Sequence, residues 1–265
     1  MIGAASRKLL EVSLFPIIYE DAEVLVLHKP AGLVCHPTKG DEYSSLVSRV
    51  RLHLGTRSEP QMVHRLDRET SGVMVFGKTA ASALELRRLW EQGLVAKEYS
   101  ALVHGAAEPG SGTIDLPLGA DDRSEIAIKD CVRPDGTPAR TRWWRERVFE
   151  RAEGVFSQLR IRLDTGRKHQ IRIHLAAVGH PLVGDKLYGP SEALYLDFVH
   201  RRLTDHQRAQ LLLPHQALHA GRLWFPWQGC EAEFASPPES WFSEFAAGLP
   251  VVWGPDAFDP ARPGP

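Results

Sequence analysis

The sequence predicts an α+β protein built on a large mixed sheet with helices packed beside it. Residues 23–28 form a continuous apolar run, which is typical of a strand buried on both faces. Residues 157–164 alternate apolar and polar side chains, as in an antiparallel strand with one solvated face. The regular strand–helix rhythm of a doubly wound fold is missing. We therefore expect one domain at 15–250, between an N-terminal extension (1–14) and a flexible C-terminal tail (251–265).

The first elements follow from local patterns. Pro30 lacks an amide donor, so the first strand ends at the Lys-Pro-Ala-Gly turn. Residues 73–78 predict a second strand, and Thr79 then caps a helix that Gly93 closes. Residues 97–103 predict a further strand with alternate side chains on one face.

The second half is less regular until the alternating strand. Residues 108–138 are rich in Gly, Pro and Asp and predict loops and short strands of the same domain. After the strand, a helix is expected from about Lys168. Its buried stripe would be Ile171, Leu175 and Val178, at i, i+4 and i+7.

Composition narrows the class of protein. The chain has 265 residues. The charges of its 32 basic and 33 acidic residues nearly cancel, so the net charge does not indicate a polyanionic partner. Its three cysteines are far apart, which argues against a disulfide framework and favours a reducing compartment. No apolar stretch approaches the ~20 residues of a membrane span. We expect a cytoplasmic protein without a membrane partner.

The run HRLDRETSG at residues 64–72 is the most informative stretch. It places Asp67 between Arg65 and Arg68, where nearby positive charge favours the ionised carboxylate. A charged carboxylate on a short loop before an apolar strand suits a nucleophile or general base. A solvated loop in which Asp67 or Ser71 caps a turn fits the nine residues equally well.

Two basic clusters are hidden by the overall charge balance. Residues 160–172 carry five basic residues and one acidic residue around a predicted turn and helix start, which favours a polyanion site. Residues 142–151 carry four arginines with Trp143 and Trp144. Such a pattern suits phosphate contact and base stacking, but a solvated strand face is the preferred interpretation for this second cluster.

The sequence lacks the motifs of a helical zinc site, a nucleotide-binding loop and a serine hydrolase. His169 and His174 are five residues apart, whereas a helical zinc pair needs i and i+4. No glycine-rich phosphate loop ends in Lys-Ser or Lys-Thr, and Ser71 lacks a Gly-x-Ser-x-Gly elbow. We therefore expect no metal and no nucleotide cofactor.

Three segments in order resemble the RluA-type family of RNA pseudouridine synthases. They are residues 64–72, residues 97–105 (KEYSALVHG) and residues 165–174 (TGRKHQIRIH). The resemblance runs from about Ile18 to about Pro226. It implies the pseudouridine synthase fold, with a mainly antiparallel sheet and a central RNA-binding cleft.

The resemblance also implies roles for individual residues. Asp67 would attack the uridine nucleotide so that the base detaches, rotates and rejoins through carbon, an isomerisation that needs no cofactor. Arg167 would pair with Asp67 and keep it ionised. Tyr99 would stack on the target base, which must leave its stack to be reached. The expected substrate contacts are Arg65, His64, Thr70, Lys97, His169, Gln170, Ile171 and Arg172.

Some of these implications stay open. Core packing explains Ile171 as well as a floor under the base does. Many relatives carry an N-terminal S4 RNA-binding domain, for which the residues before Phe15 are too few. We therefore expect a monomer that recognises a tRNA or rRNA stem-loop by its folded shape. His215-Gln216 replaces a frequent Arg-Gln, which concerns C-terminal RNA contacts.

Two rival functions differ in their products. A non-catalytic RNA-binding protein on the same scaffold would lack one of Asp67, Tyr99 and Arg167, and all three are present. A metal-independent nuclease using His64 and Asp67 would cleave strands, and no second base is placed opposite them by any motif.

Overall fold

A ten-stranded sheet organises the chain, with helices on both sides of it. The computed structural model describes residues 14–37, 45–55, 59–251 and 253. The predicted extension and tail therefore lie outside the described residues, apart from residues 14, 251 and 253. No described helix is long and apolar enough to cross a membrane.

The bounds of the elements are as follows. The strands are β1 (Ile17–Glu20), β2 (Val24–Lys29), β3 (Gln61–Met62), β4 (Ser71–Gly77), β5 (Ala96–His104), β6 (Ser111–Asp115), β7 (Leu118–Ala120), β8 (Asp130–Val132), β9 (Arg140–Arg151), β10 (Gly154–Leu163), β11 (Leu218–Trp227) and β12 (Cys230–Ala235). The helices are α1 (Leu46–Leu54), α2 (Ala80–Glu91), α3 (Gln170–Ala177), α4 (Ala193–Val199), α5 (Asp205–Leu211) and α6 (Ser240–Ala246).

The sheet is mixed and mainly antiparallel, as the resemblance implied. Its strand order is β1-β2-β4-β11-β5-β10-β9-β6, with β3 beside β4 and β12 beside β11, while β7 and β8 form a separate pair. Only the β4–β11 pairing is parallel among the described strands, and it matches Ser71 with His219 and Gly72 with Ala220. This seam joins the strand after residues 64–70 to a strand almost 150 residues later.

Both faces of the central sheet are covered, because successive side chains of a strand point to opposite faces. Leu25 and Leu27 of β2 pack in the larger core, under the face that carries the cleft. Val24 and Val26 pack against α2 on the other face. The continuous apolar run at 23–28 is therefore a strand buried on both sides, as its pattern predicted.

Local signals located most elements. Thr79 caps α2 with its side chain in a capping box with Ser82, and β10 alternates as expected, with Leu159 and Ile161 buried. The stripe predicted for α3 was wrong at Val178, which is 42% exposed after the helix has ended. Residues 170–175 of α3 are all buried, because the helix lies between the cleft and the β8–β9 region, whereas Ala177 at its end is exposed.

Candidate active site

Asp67 lies on the loop between β3 and β4, with 26% of its side-chain surface exposed. The loop is a turn in which the Thr70 amide donates to the Asp67 carbonyl (3.1 Å). Two further carbonyls of the loop accept hydrogen bonds from residues outside it. Cys35 Sγ donates to Leu66 O (3.2 Å), and Lys29 Nζ donates to Arg68 O (2.9 Å). The turn therefore fixes the backbone and leaves the carboxylate at the surface of a cleft.

Lys29 is the strongest of these anchors. Its ammonium is fully buried and donates to three carbonyls, those of Pro30, Leu33 and Arg68. Burial lowers the pKa of Lys29 to about 8, because an apolar environment disfavours the charged form. Three charge-assisted hydrogen bonds compensate for the lost water. The conformation of the Asp67 loop therefore depends on a lysine almost forty residues earlier.

Arg172 of α3 is the cation that pairs with Asp67. Its Nη1 lies 3.1 Å from Asp67 Oδ2, while Nε and Nη2 donate to the two oxygens of Asp185 at 2.8 and 2.9 Å. Burial opposes the charge on Arg172, but the Asp185 and Asp67 carboxylates together raise its pKa. The guanidinium is oriented by the bidentate pair with Asp185, so its remaining edge is presented to Asp67.

Asp185 is itself fixed by the backbone. The amides of Leu187 and Tyr188 donate to its Oδ1, each at 2.9 Å. Burial disfavours the charged carboxylate, but Arg172 and these amides lower the pKa of Asp185. The tight turn after Gly184 thus fixes Asp185, which orients Arg172 toward Asp67.

Gln216 supplies a third partner of the Asp67 loop. Its amide Nε2 donates to Thr70 Oγ1 (2.7 Å) and approaches Asp67 Oδ2 (3.5 Å). The side chain is almost wholly buried. Because Gln216 lies two residues before β11, the loop is tied to the strand that pairs with β4.

His169 presents a defined edge of its ring to Asp67. The Tyr188 hydroxyl accepts a hydrogen bond from the Asp130 amide (3.2 Å) and lies 2.9 Å from His169 Nδ1. The hydroxyl proton is then free to be donated to Nδ1, which leaves the proton of the neutral ring on Nε2. Burial and nearby Arg172 lower the pKa of His169 to about 4, so the ring is neutral near pH 7. Its Nε2 lies 3.8 Å from Asp67 Oδ1.

Tyr99 faces the same carboxylate from β5. Its ring is buried among the residues of the larger core, and its hydroxyl has no hydrogen-bond partner in the described part of the chain. Burial, followed by the neighbouring charge of Asp67, raises the pKa of Tyr99. The phenol is therefore protonated near pH 7 and available to a ligand.

Two cavities meet at Asp67. The smaller has a volume of about 80 Å³ and is lined by Tyr99, Ile171, Thr70 and Arg167, among others. That is roughly the volume that three water molecules occupy in the liquid, so the cavity suits one small ring. The larger has a volume of about 530 Å³. An ionised carboxylate at this junction, backed by a fixed cation and faced by a tyrosine, can act as a nucleophile toward a planar group held in the smaller cavity.

Comparison with known proteins identifies the family of the chain. Residues 23–177 match the family model described as RNA pseudouridylate synthase. This chain belongs to the RNA pseudouridylate synthase family. That span contains Asp67, Tyr99 and Arg172, whereas Asp185, Tyr188 and Gln216 lie beyond it.

Individual relatives define the extent of the match. An uncharacterised RNA pseudouridine synthase of Aquifex aeolicus is 38% identical over 181 residues, 65% of this chain and 55% of its own length. The ribosomal large subunit pseudouridine synthase D of Pasteurella multocida is 35% identical over 243 residues, 88% of this chain and 70% of its own length. The chain thus spans little more than half of the Aquifex relative.

A solved structure shares the fold. Human RNA pseudouridylate synthase domain containing 1 superposes with a TM-score of 0.69 at 23% identity, covering 95% of this chain and 96% of its own. The α+β class and the mixed sheet predicted from the sequence are confirmed.

The predicted pairing of Arg167 with Asp67 was wrong. Within the described residues Asp67 pairs with Arg172, and Arg167 Nε donates to the Pro138 carbonyl (3.1 Å). The chain turns at His169, which has φ 55°, so the two arginines of the motif leave in different directions. Arg167 nevertheless lines the smaller cavity and stays a candidate for substrate contact.

His64 and Lys97 line neither cavity. His64 stacks on Trp90 (centroids 4.7 Å apart), and its Nε2 accepts from the Val75 amide (3.2 Å). Lys97 Nζ lies beside Gly166. His64 is therefore engaged by its own fold, and substrate contact by His64 or Lys97 stays a prediction. The nuclease pair of His64 with Asp67 is not assembled, because His64 is held against Trp90 and Val75.

The remaining predicted contacts divide into two groups. Arg65 and His169 line both cavities, and the Arg65 side chain is exposed with no ion pair in the described part of the chain. Gln170 also borders the smaller cavity, but its amide is already bonded to Thr165, Arg167, Arg140 and Thr141. Its observed role is to close the turn before α3.

The predicted polyanion cluster at 160–172 is split between two faces. Arg160 and Arg162 lie opposite the cleft, where both approach Glu98 at 3.6 and 3.0 Å. Their guanidinium groups cover Trp144 and Trp224. Strand alternation requires this separation, since buried Ile161 lies between them. Only the helix-start part of the cluster belongs to the cleft.

Sequence reasoning missed three site residues. No local signal indicates that Asp185 holds Arg172 or that Tyr188 contacts His169. Gln216 was connected with RNA contacts and instead touches Asp67 and Thr70. Each interaction joins two different segments of the chain, and a motif search does not show which segments meet in space.

Proposed function

We propose that this chain converts uridine to pseudouridine in a structured tRNA or rRNA, with Asp67 as the nucleophile. The observation that carries the proposal is the junction itself. A partly exposed Asp67, paired with Arg172, stands opposite the Tyr99 hydroxyl at a cavity the size of one small ring. The name of the Pasteurella relative, which refers to the large ribosomal subunit, supports an rRNA substrate.

The roles of the residues follow from their chemistry. The uridine leaves its stack and its base enters the smaller cavity between Tyr99 and Ile171. Asp67 attacks the nucleotide as the bond from C1′ to N1 breaks. The detached uracil turns, and C5 bonds to C1′ while the bond between the nucleotide and Asp67 breaks and returns the carboxylate. The C5 proton is then lost while N1 regains one. Pseudouridine is an isomer of uridine, so the conversion needs no oxidant, no reductant and no redox cofactor.

Arg172 and His169 act on the carboxylate and the base. Arg172 stabilises the ionised Asp67 before attack and again when the nucleotide departs. The Nε2–H of neutral His169 is a donor for a uracil carbonyl or for Asp67. Arg65, exposed at the cleft, contacts phosphate or the space that the base vacates.

Replacing Asp67 by Asn tests the proposal. The amide preserves shape but is not a nucleophile, so we expect loss of tritium release from 5-tritiated uridine in bulk tRNA and rRNA, by at least about 10³-fold. RNA binding, measured by filter retention, should stay within about threefold. Appreciable turnover by the variant would exclude Asp67 as the nucleophile, and strand cleavage by the wild type on a gel would favour the nuclease.

A further inference from the structure

The larger cavity beside Asp67 has no role in the proposed chemistry. It has a volume of about 530 Å³, against about 80 Å³ for the cavity that receives the target base. Five residues line both spaces: Arg65, Leu66, Asp67, His169 and Arg172. The two cavities are therefore neighbours with a common wall, so a strand whose base occupies the smaller one can place an adjacent nucleotide in the larger.

Aromatic side chains of α4 form one wall of the larger cavity. Tyr195 and Phe198 face it, together with Val199. Tyr195 is only partly buried, and its hydroxyl has no hydrogen-bond partner in the part of the chain that the structure describes. An amphipathic ring left half-covered beside a cleft is a platform on which a planar base can stack.

The charge of this cavity suits a nucleotide. Four cationic side chains line it, those of Arg65, Arg68, Arg172 and Lys186, against the carboxylates of Asp67 and Glu69. Both carboxylates are already paired, with Arg172 and Lys186 respectively. Arg65 and Arg68 have no carboxylate within ion-pair distance among the described residues. The cavity therefore carries a surplus of positive charge next to its aromatic wall. A nucleotide needs both, the positive charge for its phosphate and the aromatic wall for its base.

We propose that the larger cavity is a second nucleotide site, which binds the nucleotide next to the target uridine with its base stacked on Tyr195. The phosphate of that nucleotide lies toward Arg65 and Arg68. The inference rests on the proposed function, because a flanking nucleotide has a place only if a target uridine occupies the smaller cavity. Recognition of this neighbour then contributes to the choice of uridine.

Crosslinking tests the site without requiring turnover. The full chain carrying Asp67→Asn is mixed with tRNA and rRNA stem-loop transcripts in which 4-thiouridine replaces uridine, irradiated, digested and mapped by mass spectrometry. We expect adducts on Tyr195 or Phe198 in addition to adducts near Tyr99. Adducts near Tyr99 without any on α4, or no adduct at all, would overturn the second site.

Kinetics supplies the second arm. Tyr195→Leu keeps an apolar side chain but removes the ring, so we expect KM for the labelled RNA to rise about tenfold, the loss of one base stack, with kcat within about twofold. Tyr19→Leu is the matched control, because Tyr19 is 44% exposed on the edge strand β1. It should leave both constants unchanged, and the melting temperatures of the two variants should agree with that of the wild type.

The outcomes separate the two proposals. An unchanged KM for Tyr195→Leu, or a fall in kcat alone, would overturn the stacking role while leaving the proposed function intact. A wild-type chain that releases no tritium would overturn the proposed function, and the crosslinks would then decide the larger cavity alone.

Discussion

The two oxygens of Asp67 have different surroundings. Oδ2 accepts from Arg172 at 3.1 Å and is approached by Gln216 at 3.5 Å. Oδ1 has His169 Nε2 at 3.8 Å, beyond hydrogen-bonding distance. The lone pairs of Oδ1 are therefore the less engaged, and we expect Oδ1 to form the bond to the nucleotide.

Exchanging the two arginines of the motif for lysine should separate their roles. Lysine cannot hold Asp185 with a bidentate contact and reach Asp67 at the same time. We expect Arg172→Lys to lower kcat/KM for tritium release by about a hundredfold or more, roughly 3 kcal/mol of transition-state stabilisation. Arg167→Lys should cost less than about tenfold. The opposite order would restore Arg167 as the partner of Asp67.

Local patterns located the nucleophile candidate but not its partner. Asp67 and Tyr99 were predicted, and both line the smaller cavity. The resemblance assigned the ion pair to Arg167, and the sequence gives no sign that His169 adopts a left-handed conformation (φ 55°). That residue reverses the chain between the two arginines, and only α3 presents its arginine to the loop.

At the scale of elements, the β4–β11 seam requires a glycine. Gly72 has φ 126°, and a Cβ there would lie 2.2 Å from the carbonyl oxygen of Ala220. No side chain fits, because the parallel neighbour occupies the space. The Thr70–Gly72 segment therefore joins the strand pair and the Asp67 loop in one rigid unit.

Gly72→Ala should be far more destabilising than Gly154→Ala. Gly154 has a similar φ of 138° with nothing within 4 Å of an added Cβ, so its substitution measures backbone strain alone, about 1 kcal/mol. We expect Gly72→Ala to lower the free energy of unfolding in urea by at least about 3 kcal/mol, since strain and overlap with Ala220 add. Equal losses would show that the seam tolerates a methyl group.

The strands themselves were easier to predict than their pairing. The apolar run of β2 and the alternation of β10 are local signals, and both elements lie where the sequence placed them. The parallel contact of Gly72 with Ala220 has no local signal, because it depends on where a strand nearly 150 residues away enters the sheet. The surroundings of Asp67 depend on that same entry.

At the scale of the whole molecule, several histidines are enclosed in the neutral form. Burial is the leading cause that lowers the pKa of His64 to about 3, and those of His169 and His219 to about 4. The unfolded chain keeps the ordinary value near 6.5 and so binds more protons between these limits. The stability that these neutral histidines contribute is fully present above about pH 6.5 and is lost as the pH falls toward 4.

The free energy of unfolding should therefore fall on mild acidification. We expect a clear decrease in urea titrations between pH 7 and pH 5, with a limit of about 1.4 kcal/mol per pH unit for each such group. His64→Gln should flatten the profile, whereas His206→Gln, at an exposed position of α5, should not. A wild-type profile as flat as that of His64→Gln would mean that His64 does not titrate on unfolding.

The late position of β11 has a consequence during synthesis. A nascent chain that ends before residue 216 lacks both the amide that touches Asp67 and the strand that flanks β4. Such a chain already contains Asp67, Tyr99 and Arg172 but lacks two of the contacts that position the loop. Because closing so long a stretch of chain is slow compared with forming local contacts, the surroundings of Asp67 are completed only after Gln216 and β11 have left the ribosome.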